Sequence, residues 1–141
     1  LSCNSVEMSE KQIVSVYESY GSRKLIHNML RAYISPSMGE HSIDGIFTSS
    51  DHLATIVREE LEEMGKRVPE DIQIIGYDGL QFLNQGKPIV SSIAQPVHEI
   101  AKQAVKSLTE RIENGKAEDV TNIPVMFHEG PTTKPLETIS E

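Results

Sequence analysis

The sequence predicts an α/β fold with a parallel sheet, and three observations lead to that prediction. Short apolar segments alternate along the chain with longer segments whose apolar residues recur at helical spacing. The short segments are rich in Ile and Val, which is typical of strands buried inside parallel sheets. The chain has 141 residues, which suits one domain with a real hydrophobic core. Alternation of this kind predicts parallel strands joined by right-handed helical crossovers.

The first predicted strand and helix lie in the N-terminal part of the chain. Residues Gln12–Tyr17 carry the β-branched and aromatic side chains of a short strand. After a turn at Gly21 and Ser22, apolar residues recur at helical spacing, and these are Leu25, Ile26, Met29, Leu30 and Tyr33. Pro36 and Gly39 break the pattern, so we expect the helix to end before them.

The central part of the chain repeats the alternation of strand and helix. Residues Ile43–Thr48 are predicted to form a second strand, and the polar residues after it suit the N-terminal cap of a helix. The apolar stripe of that helix is formed by Ala54, Val57, Leu61 and Met64. Gly65 and Pro69 end the helix, and Ile72–Tyr77 follows as a third, buried strand that leads directly into an Asp-Gly pair.

The pattern changes in the C-terminal part of the chain. A short strand is predicted at Ile89–Ile93, and a long helix is predicted from Pro96 to Gly115. This helix has an apolar stripe formed by Val97, Ile100, Ala101, Ala104, Val105, Leu108 and Ile112. A final strand is expected at Ile123–Phe127, followed by a polar tail from Gly130 that we expect to be loose.

Composition and charge argue against several classes of function. The formal net charge is −8, from 13 basic and 21 acidic residues, so this chain alone is not expected to bind DNA. No apolar run approaches the roughly 20 residues that a membrane span needs. No signal peptide is recognisable, and the single cysteine, Cys3, cannot form an internal disulfide. These features lead us to expect a protein of the reducing cytoplasm that does not contact a membrane.

Sequence motifs for catalysis, metal binding and cofactor binding are absent from the chain. There is no nucleophile elbow, no phosphate-binding loop, no dinucleotide fingerprint and no zinc-protease motif. The spacings of the histidines suggest no metal site, and these residues are His27, His41, His52, His98 and His128. We therefore expect no catalytic activity, no metal and no cofactor.

The carboxyl ends of the predicted strands are the places where a ligand is expected to bind. Loops and helix N-termini converge there in open α/β sheets. The residues at these ends are short polar or aromatic ones, which suit a ligand with many hydroxyl groups. Asp78 could contact such a ligand or form a turn, and Asp51 could contact it or cap its helix. Tyr17 and Tyr20 could stack on a sugar or pack against the core.

Three motifs, in consistent order and spacing, resemble segments of one family of bacterial regulators. They are IDGIFTSSDHLA from Ile43 to Ala54, GKRVPEDIQIIGYDG from Gly65 to Gly79, and SIAQPVHEIAKQAV from Ser92 to Val105. By these motifs the chain resembles the LacI/GalR family of transcription regulators. The resemblance extends to about Thr133.

The resemblance implies a type I periplasmic-binding-protein-like fold, in which two α/β subdomains close on a small molecule. Residues 1–133 would form the C-terminal part of this effector-binding domain, mostly one three-layer subdomain of a truncated fold, and residues 134–141 a flexible tail. A helix-turn-helix DNA-binding domain is expected to be absent from this chain. The helix after Pro96 would cross back to the other subdomain, so its apolar stripe is expected to lack a partner here.

The resemblance also implies effector-binding roles for particular residues. Asp78 matches an aspartate that binds effector hydroxyl groups, and Gln95 matches a glutamine that can face the ligand. Ser50 precedes the shared Asp51 at a position where relatives often have Asn, which contacts the effector. The aromatic residue that follows the first strand would be one of two, Tyr20 or Tyr17.

The function implied is control of transcription by a carbohydrate effector, a sugar or sugar phosphate, with repression of carbohydrate-utilisation genes expected. Members of the family form homodimers through this subdomain, and the candidate interface positions are Leu53, Ile56 and Leu80. Operator DNA would bind only through the absent N-terminal domain, and a phosphocarrier corepressor could also dock. The alternatives are an extracytoplasmic sugar-binding protein of a transport system, which shares the fold, and a small α/β enzyme, which only the fold supports.

Overall fold

The computed structural model of the chain describes residues 23–34, 43–79, 87–118 and 120–135. The first strand predicted at Gln12–Tyr17 lies outside these residues. The elements in chain order are helix α1 (Arg23–Ile34), strand β1 (Gly45–Phe47), helix α2 (Asp51–Glu63), strand β2 (Gln73–Asp78), strand β3 (Ser91–Ala94), helix α3 (Val97–Asn114) and strand β4 (Met126–His128).

The strands form one mixed sheet in the order β1, β2, β3, β4. β1, β2 and β3 run parallel, with Gly76 of β2 beside Ser92 of β3. β4 runs antiparallel to β3, with Phe127 beside Ile93. The predicted α/β class with a mainly parallel sheet is therefore confirmed, whereas the sequence carried no signal for the direction of the last strand.

The strands occupy the predicted places, but β1, β3 and β4 are shorter than predicted, and β2 has its predicted length shifted by one residue. At both ends of β1 single backbone hydrogen bonds extend the ladder, from the Gln73 amide to the Asp44 carbonyl (2.8 Å) and from the Thr48 amide to the Ile75 carbonyl (2.9 Å). The predicted strand at Ile89–Ile93 begins too early, and so does the one at Ile123–Phe127. Apolar side chains continue beyond the backbone pairing in these segments, so the apolar pattern overestimates the strand length.

The hydrophobic core lies where α1 and α2 pack together and α2 covers one face of the sheet. Ile26 and Leu30 of α1 are buried in it. The predicted stripe of α2 is confirmed, because Ala54, Val57 and Leu61 are buried and Met64 packs against the core. Each fully buried Leu or Ile contributes roughly 1.5–3 kcal/mol relative to an exposed one. The core therefore fixes α2 against β2, next to the sheet end where a ligand is expected.

Glu60 is a charged residue buried between α1 and α2, with 3% of its surface exposed. Its carboxylate accepts a hydrogen bond from Arg23 Nε (3.0 Å) and lies 2.9 Å from His27 Nδ1. The hydrogen bond from Arg23 is the largest of the effects that hold the pKa of Glu60 below its usual value. This ion pair adds a polar contact to the apolar packing of the two helices.

The tail predicted to be loose from Gly130 is bound to the sheet as far as the structure describes it. Thr132 is fully buried, and its hydroxyl donates to the Ile74 carbonyl (2.7 Å) and accepts from the Ser91 amide (2.8 Å). The Ile74 amide in turn donates to the Thr132 carbonyl (2.8 Å). The prediction was wrong because these polar groups bond to β2 and β3 instead of to water.

Further hydrogen bonds hold the residues on either side of Thr132. The Ser91 hydroxyl donates to the Gly130 carbonyl (3.0 Å) and lies 2.7 Å from the Thr133 hydroxyl. The Lys134 amide donates to the side-chain oxygen of Gln73 (2.9 Å), so this first residue of the predicted flexible tail is also attached. Residues 136–141 lie outside the described part of the chain.

Helix α3 has the predicted bounds, with Pro96 at its N-cap position and Gly115 at its C-cap in the left-handed conformation (φ 69°). None of its residues is buried. The exposed fractions are 66% for Val105, 61% for Leu108 and 74% for Ile112. The expectation that this stripe has no cover agrees with the described residues. None of the helices described is both long enough and apolar enough to cross a membrane.

Candidate ligand-binding site

The carboxyl ends of β2 and β3 bring together two residues that the sequence singled out. Asp78 is the last residue of β2, and Gln95 follows the last residue of β3. The side-chain amide of Gln95 donates to Asp78 Oδ1 (2.8 Å). The backbone amide of Gln95 donates to the Asp78 carbonyl (3.1 Å). The two residues therefore form one hydrogen-bonded unit at the sheet end where ligands bind in α/β folds.

The backbone of Asp78 has a conformation that residues other than glycine rarely adopt. Its φ angle is 105°, and the next residue, Gly79, has a φ of 69°. Such a conformation in a residue with a side chain costs roughly 1–3 kcal/mol and persists only where the surroundings hold it. The two hydrogen bonds from Gln95 provide part of that support, so the protein itself fixes the direction of the Asp78 carboxylate.

The Asp78 and Gln95 pair can recognise hydroxyl groups. A carboxylate accepts several hydrogen bonds, and bonds to a charged acceptor are stronger than neutral ones. Gln95 uses one of its two amide hydrogens on Asp78, and its side-chain oxygen is a further acceptor. Both side chains are half-buried, which leaves part of each accessible to a ligand.

Ser50 lies at the same end of the sheet and caps helix α2. Its hydroxyl accepts a hydrogen bond from the Leu53 amide (3.2 Å), and its carbonyl accepts one from the Thr48 hydroxyl (2.9 Å). The cap that the sequence predicted before α2 is therefore confirmed. Because the hydroxyl already accepts this bond, an effector contact by Ser50 would have to use its remaining hydrogen-bonding capacity.

Asp51 has a different partner from the one its sequence context suggested. Its position before an apolar stripe was consistent with capping, but Ser50 provides the cap. Asp51 Oδ1 instead accepts a 2.5 Å hydrogen bond from the hydroxyl of Ser92 on β3. The same hydroxyl accepts a bond from the Gly79 amide (3.2 Å). Sequence reasoning missed Ser92, since nothing in the sequence distinguishes it from the neighbouring Ser91 in the same short strand.

Two glycines allow these groups to approach one another. A Cβ atom at Gly76 would lie 3.1 Å from the Cα of Asp51 and 3.3 Å from the Cβ of Ala54. A side chain at Gly79 would collide with the backbone and Cβ of Ala94. The glycines of the GYDG segment therefore place the start of α2 and the turn after β2 in direct contact with their neighbours.

Of the other predicted site residues, the structure describes only Leu53 and Ile56. Tyr17, Tyr20 and Leu80 lie outside the described residues. Ile56, a candidate interface position, is 8% exposed and belongs to the core, so it has little surface to offer a partner. Leu53 is only half-buried and keeps some exposed surface on α2. Across the ranges that the structure describes, no group of three His, Cys, Asp or Glu residues could hold a metal ion.

Comparison with known proteins gives matches over most of the chain. A family model described as a periplasmic binding protein-like domain matches residues 4–133. The ribose operon repressor of Bacillus subtilis is 39% identical over 92 residues, 64% of this chain and 28% of that protein. The sucrose operon repressor of Pediococcus pentosaceus is 31% identical over 101 residues, 70% of this chain and 31% of that protein.

A solved structure supports the same relationship. It is a LacI family transcriptional regulator from Enterococcus faecalis with bound ribose, and it is 30% identical to this chain. The TM-score is 0.61, with 85% of this chain and 43% of that chain covered. The chain thus corresponds to less than half of the regulators that it resembles.

The chain belongs to the periplasmic binding protein-like domain family, since the family model matches nearly its whole length. The particular resemblance to LacI/GalR transcription regulators, which three motifs predicted, is confirmed by the repressors and by the solved regulator. The chain spans 28% and 31% of the two curated relatives.

Proposed function

We propose that this chain is the effector-sensing part of a transcription regulator that represses carbohydrate-utilisation genes. The observation that carries the proposal is the hydrogen-bonded pair of Asp78 and Gln95 at the carboxyl ends of two parallel strands. Similarity to ribose and sucrose operon repressors and to a regulator with bound ribose supports a carbohydrate as the ligand.

Asp78 accepts hydrogen bonds from hydroxyl groups of the effector, and Gln95 orients the carboxylate and contacts the ligand with its remaining polar atoms. Ser50 and Asp51 lie near this position at the start of α2. Binding shifts an equilibrium between open and closed states, and so changes the affinity of a DNA-binding domain outside this chain. No bond in the ligand is broken, so the protein is a sensor and not an enzyme.

In this proposal the regulator is a cytoplasmic homodimer. The exposed part of Leu53 on α2 is one candidate contact, and Leu80 is a second. Operator DNA is bound only by the domain outside this chain, in keeping with the net charge of −8 found here. A phosphocarrier corepressor is a further proposed partner, and adding one to the full-length protein in a DNA-binding assay tests this. The names of the relatives favour a regulator over a transport protein.

Calorimetry on the full-length protein with ribose, sucrose, other sugars and sugar phosphates tests the proposal. Replacing Asp78 with Ala removes a charged acceptor, and we expect the affinity for the bound sugar to fall about 10- to 100-fold. Asp78→Asn keeps the shape and tolerates the positive φ, so its loss should be smaller.

Asp71→Ala is the matched control for Asp78. Asp71 also carries a carboxylate next to β2, but it lies at the opposite end of the strand and binds Arg67 (2.6 Å). Its replacement should leave the sugar affinity unchanged. Unchanged affinity in Asp78→Ala would remove this pair from the ligand site, and a panel without any bound sugar would refute the ligand class.

A further inference from the structure

The hydroxyl of Ser92 connects two segments that are far apart in the chain. Ser92 is fully buried on β3. Its hydroxyl donates to the Asp51 carboxylate at the start of α2 and accepts from the Gly79 amide after β2. A hydroxyl has one hydrogen to donate, and Ser92 donates it to Asp51. The oxygen of Ser92 can therefore only accept the hydrogen bond from the Gly79 amide. Asp51, Ser92 and Gly79 are therefore linked by a continuous series of hydrogen bonds.

At one end of this series of hydrogen bonds, Gly79 belongs to the turn that carries Asp78. Two consecutive residues, Asp78 and Gly79, have positive φ angles of 105° and 69°. Gln95 holds this turn from the β3 side through the Asp78 carbonyl and carboxylate. The bond from the Gly79 amide to Ser92 holds it one residue later. Because the conformation of Asp78 is strained, loss of either support is expected to let the carboxylate turn away.

The other end of this series of hydrogen bonds is the carboxylate of Asp51, in the first turn of α2. Capping of α2 is performed by Ser50, so the Asp51 carboxylate is not needed for it. The lack of a side chain at Gly76 allows the backbone of Asp51 to lie close to β2. Its second oxygen, Oδ2, is buried without a hydrogen-bond partner among the described residues. Burying a carboxylate oxygen in this way is unfavourable, and the hydrogen bond that Oδ1 accepts from the Ser92 hydroxyl partly offsets this cost.

We propose that Ser92 and Asp51 are positioning residues that set the direction of the Asp78 carboxylate without touching the effector. The role rests on the proposed function, because Asp78 is the group that contacts the sugar. It gives Asp51 a different task from a direct effector contact. Some ligands place hydroxyl groups within reach of Asp78. The affinity of these ligands should therefore depend most strongly on Ser92.

The test uses the full-length regulator, with ribose as the probe in calorimetry. Ser92→Ala should weaken ribose binding about tenfold, as expected for loss of one supporting hydrogen bond. In an Asp78→Ala background the same change should weaken binding less than about twofold, because the group that it positions is gone. Asp51→Asn keeps an acceptor for Ser92 and should restore most of the affinity that Asp51→Ala loses.

Ser91→Ala is the matched control. Ser91 is the neighbouring residue on β3 and is also fully buried. Its hydroxyl, however, binds Gly130 and Thr133, in the segment after β4. Its replacement should lower the melting temperature and leave the ribose affinity unchanged. If Ser91→Ala and Ser92→Ala weaken binding equally, the effect is one of general stability and the proposal is overturned.

Hydrogen exchange without ligand provides a second measurement that does not depend on the identity of the effector. Ser92→Ala should speed exchange of the Gly79 amide about tenfold while the Ile74 amide is unchanged. An unchanged Gly79 amide overturns the proposal even if no sugar binds. If Asp78→Ala does not weaken ribose binding but Ser92→Ala still speeds exchange, the proposed function fails and the turn support stands.

Discussion

Helices α2 and α3 have similar sequence patterns and opposite surroundings. Both are amphipathic and both have an acidic residue in the first turn, Asp51 in α2 and Glu99 in α3. Five residues of α2 are buried, whereas no residue of α3 is. Periodicity therefore shows that a helix has an apolar face, but it does not show which part of the protein covers that face.

The difference follows from where the covering residues lie in the sequence. The apolar face of α2 packs against β2, which follows it directly, and against α1, which precedes it. The stripe of α3 has no such cover in the described parts of the chain, and Ile112 is exposed to 74%. The comparison thus separates a helix that the described residues cover from a helix that they leave exposed.

The largest expected effect comes from shortening one leucine in each helix. Leu61 of α2 is fully buried and Leu108 of α3 is 61% exposed. In the 141-residue chain, Leu61→Ala should lower the free energy of unfolding by about 2–5 kcal/mol because it leaves a cavity. Leu108→Ala should change it by less than about 0.5 kcal/mol. Urea denaturation followed by circular dichroism measures both.

The free energy of unfolding of the same two leucine variants can also be measured in the full-length protein. A cost for Leu108→Ala that approaches that of Leu61→Ala would mean that the stripe of α3 is covered in the longer chain. Equal costs in the 141-residue chain alone would contradict the difference in burial between the two helices.

A smaller effect is expected from adding a methyl group at one glycine near each helix. At Gly76, under the start of α2, a Cβ would meet the Cα of Asp51 at 3.1 Å, so helix or strand must shift. We expect Gly76→Ala to cost about 2–3 kcal/mol. At Gly115, after α3, a Cβ meets nothing within 4 Å, and Gly115→Ala should cost only about 1 kcal/mol for the left-handed backbone.

Thermal unfolding of the two glycine variants checks this prediction, with the wild type as the reference. If both variants lose a similar amount of stability, the close approach of α2 to β2 is not the reason why glycine is needed at Gly76. A loss of sugar affinity in Gly76→Ala alone would follow from displacement of Asp51.

Local patterns explain which parts of the fold could be predicted. The alternating elements from α1 onwards, the cap before α2 and the glycine after α3 depend on neighbouring residues, and the described residues place them close to where the sequence did. The burial of Thr132 could not be predicted, because it depends on β2 and β3, which lie far away in the sequence. A threonine in a polar segment carries no trace of such partners.

The candidate site shows the same division. Asp78 and Gln95 were named from the motifs, and the structure joins them by hydrogen bonds. Ser92 was missed because its importance comes from two contacts with distant segments, Asp51 and Gly79. Motif reasoning finds residues that contact ligands, whereas supporting residues become visible only when the chain is folded.

The smallest expected effect is a dependence on pH that belongs to α2 and not to α3. Glu60 of α2 is buried against Arg23 and His27, which lower its pKa from the usual value of 4.5, Arg23 most of all. A carboxyl group whose pKa is depressed in the folded state contributes stability that is fully present above its unfolded pKa. That contribution is lost as the pH falls below 4.5 and through the folded pKa.

Glu60→Gln keeps the shape of the side chain and removes its charge. The variant should melt at a lower temperature than the wild type at neutral pH, and the two should converge as the medium is acidified below the usual pKa of 4.5. The hydrogen bond from Arg67 lowers the pKa of Asp71 from 3.8 to about 2, so the contribution of Asp71 is lost as the pH falls from 3.8 through about 2, in both proteins alike.

Glu110→Gln is the control on α3, because Glu110 is 41% exposed and lies 3.8 Å from Lys106. An exposed pair of this kind contributes little to stability, so the melting temperature should follow the wild-type pH profile. Parallel profiles for the wild type and Glu60→Gln would show that the charge of Glu60 does not stabilise the contact between α1 and α2. The ion pair of Glu60 would then not contribute to the difference in stability between α2 and α3, and apolar packing alone would account for that difference.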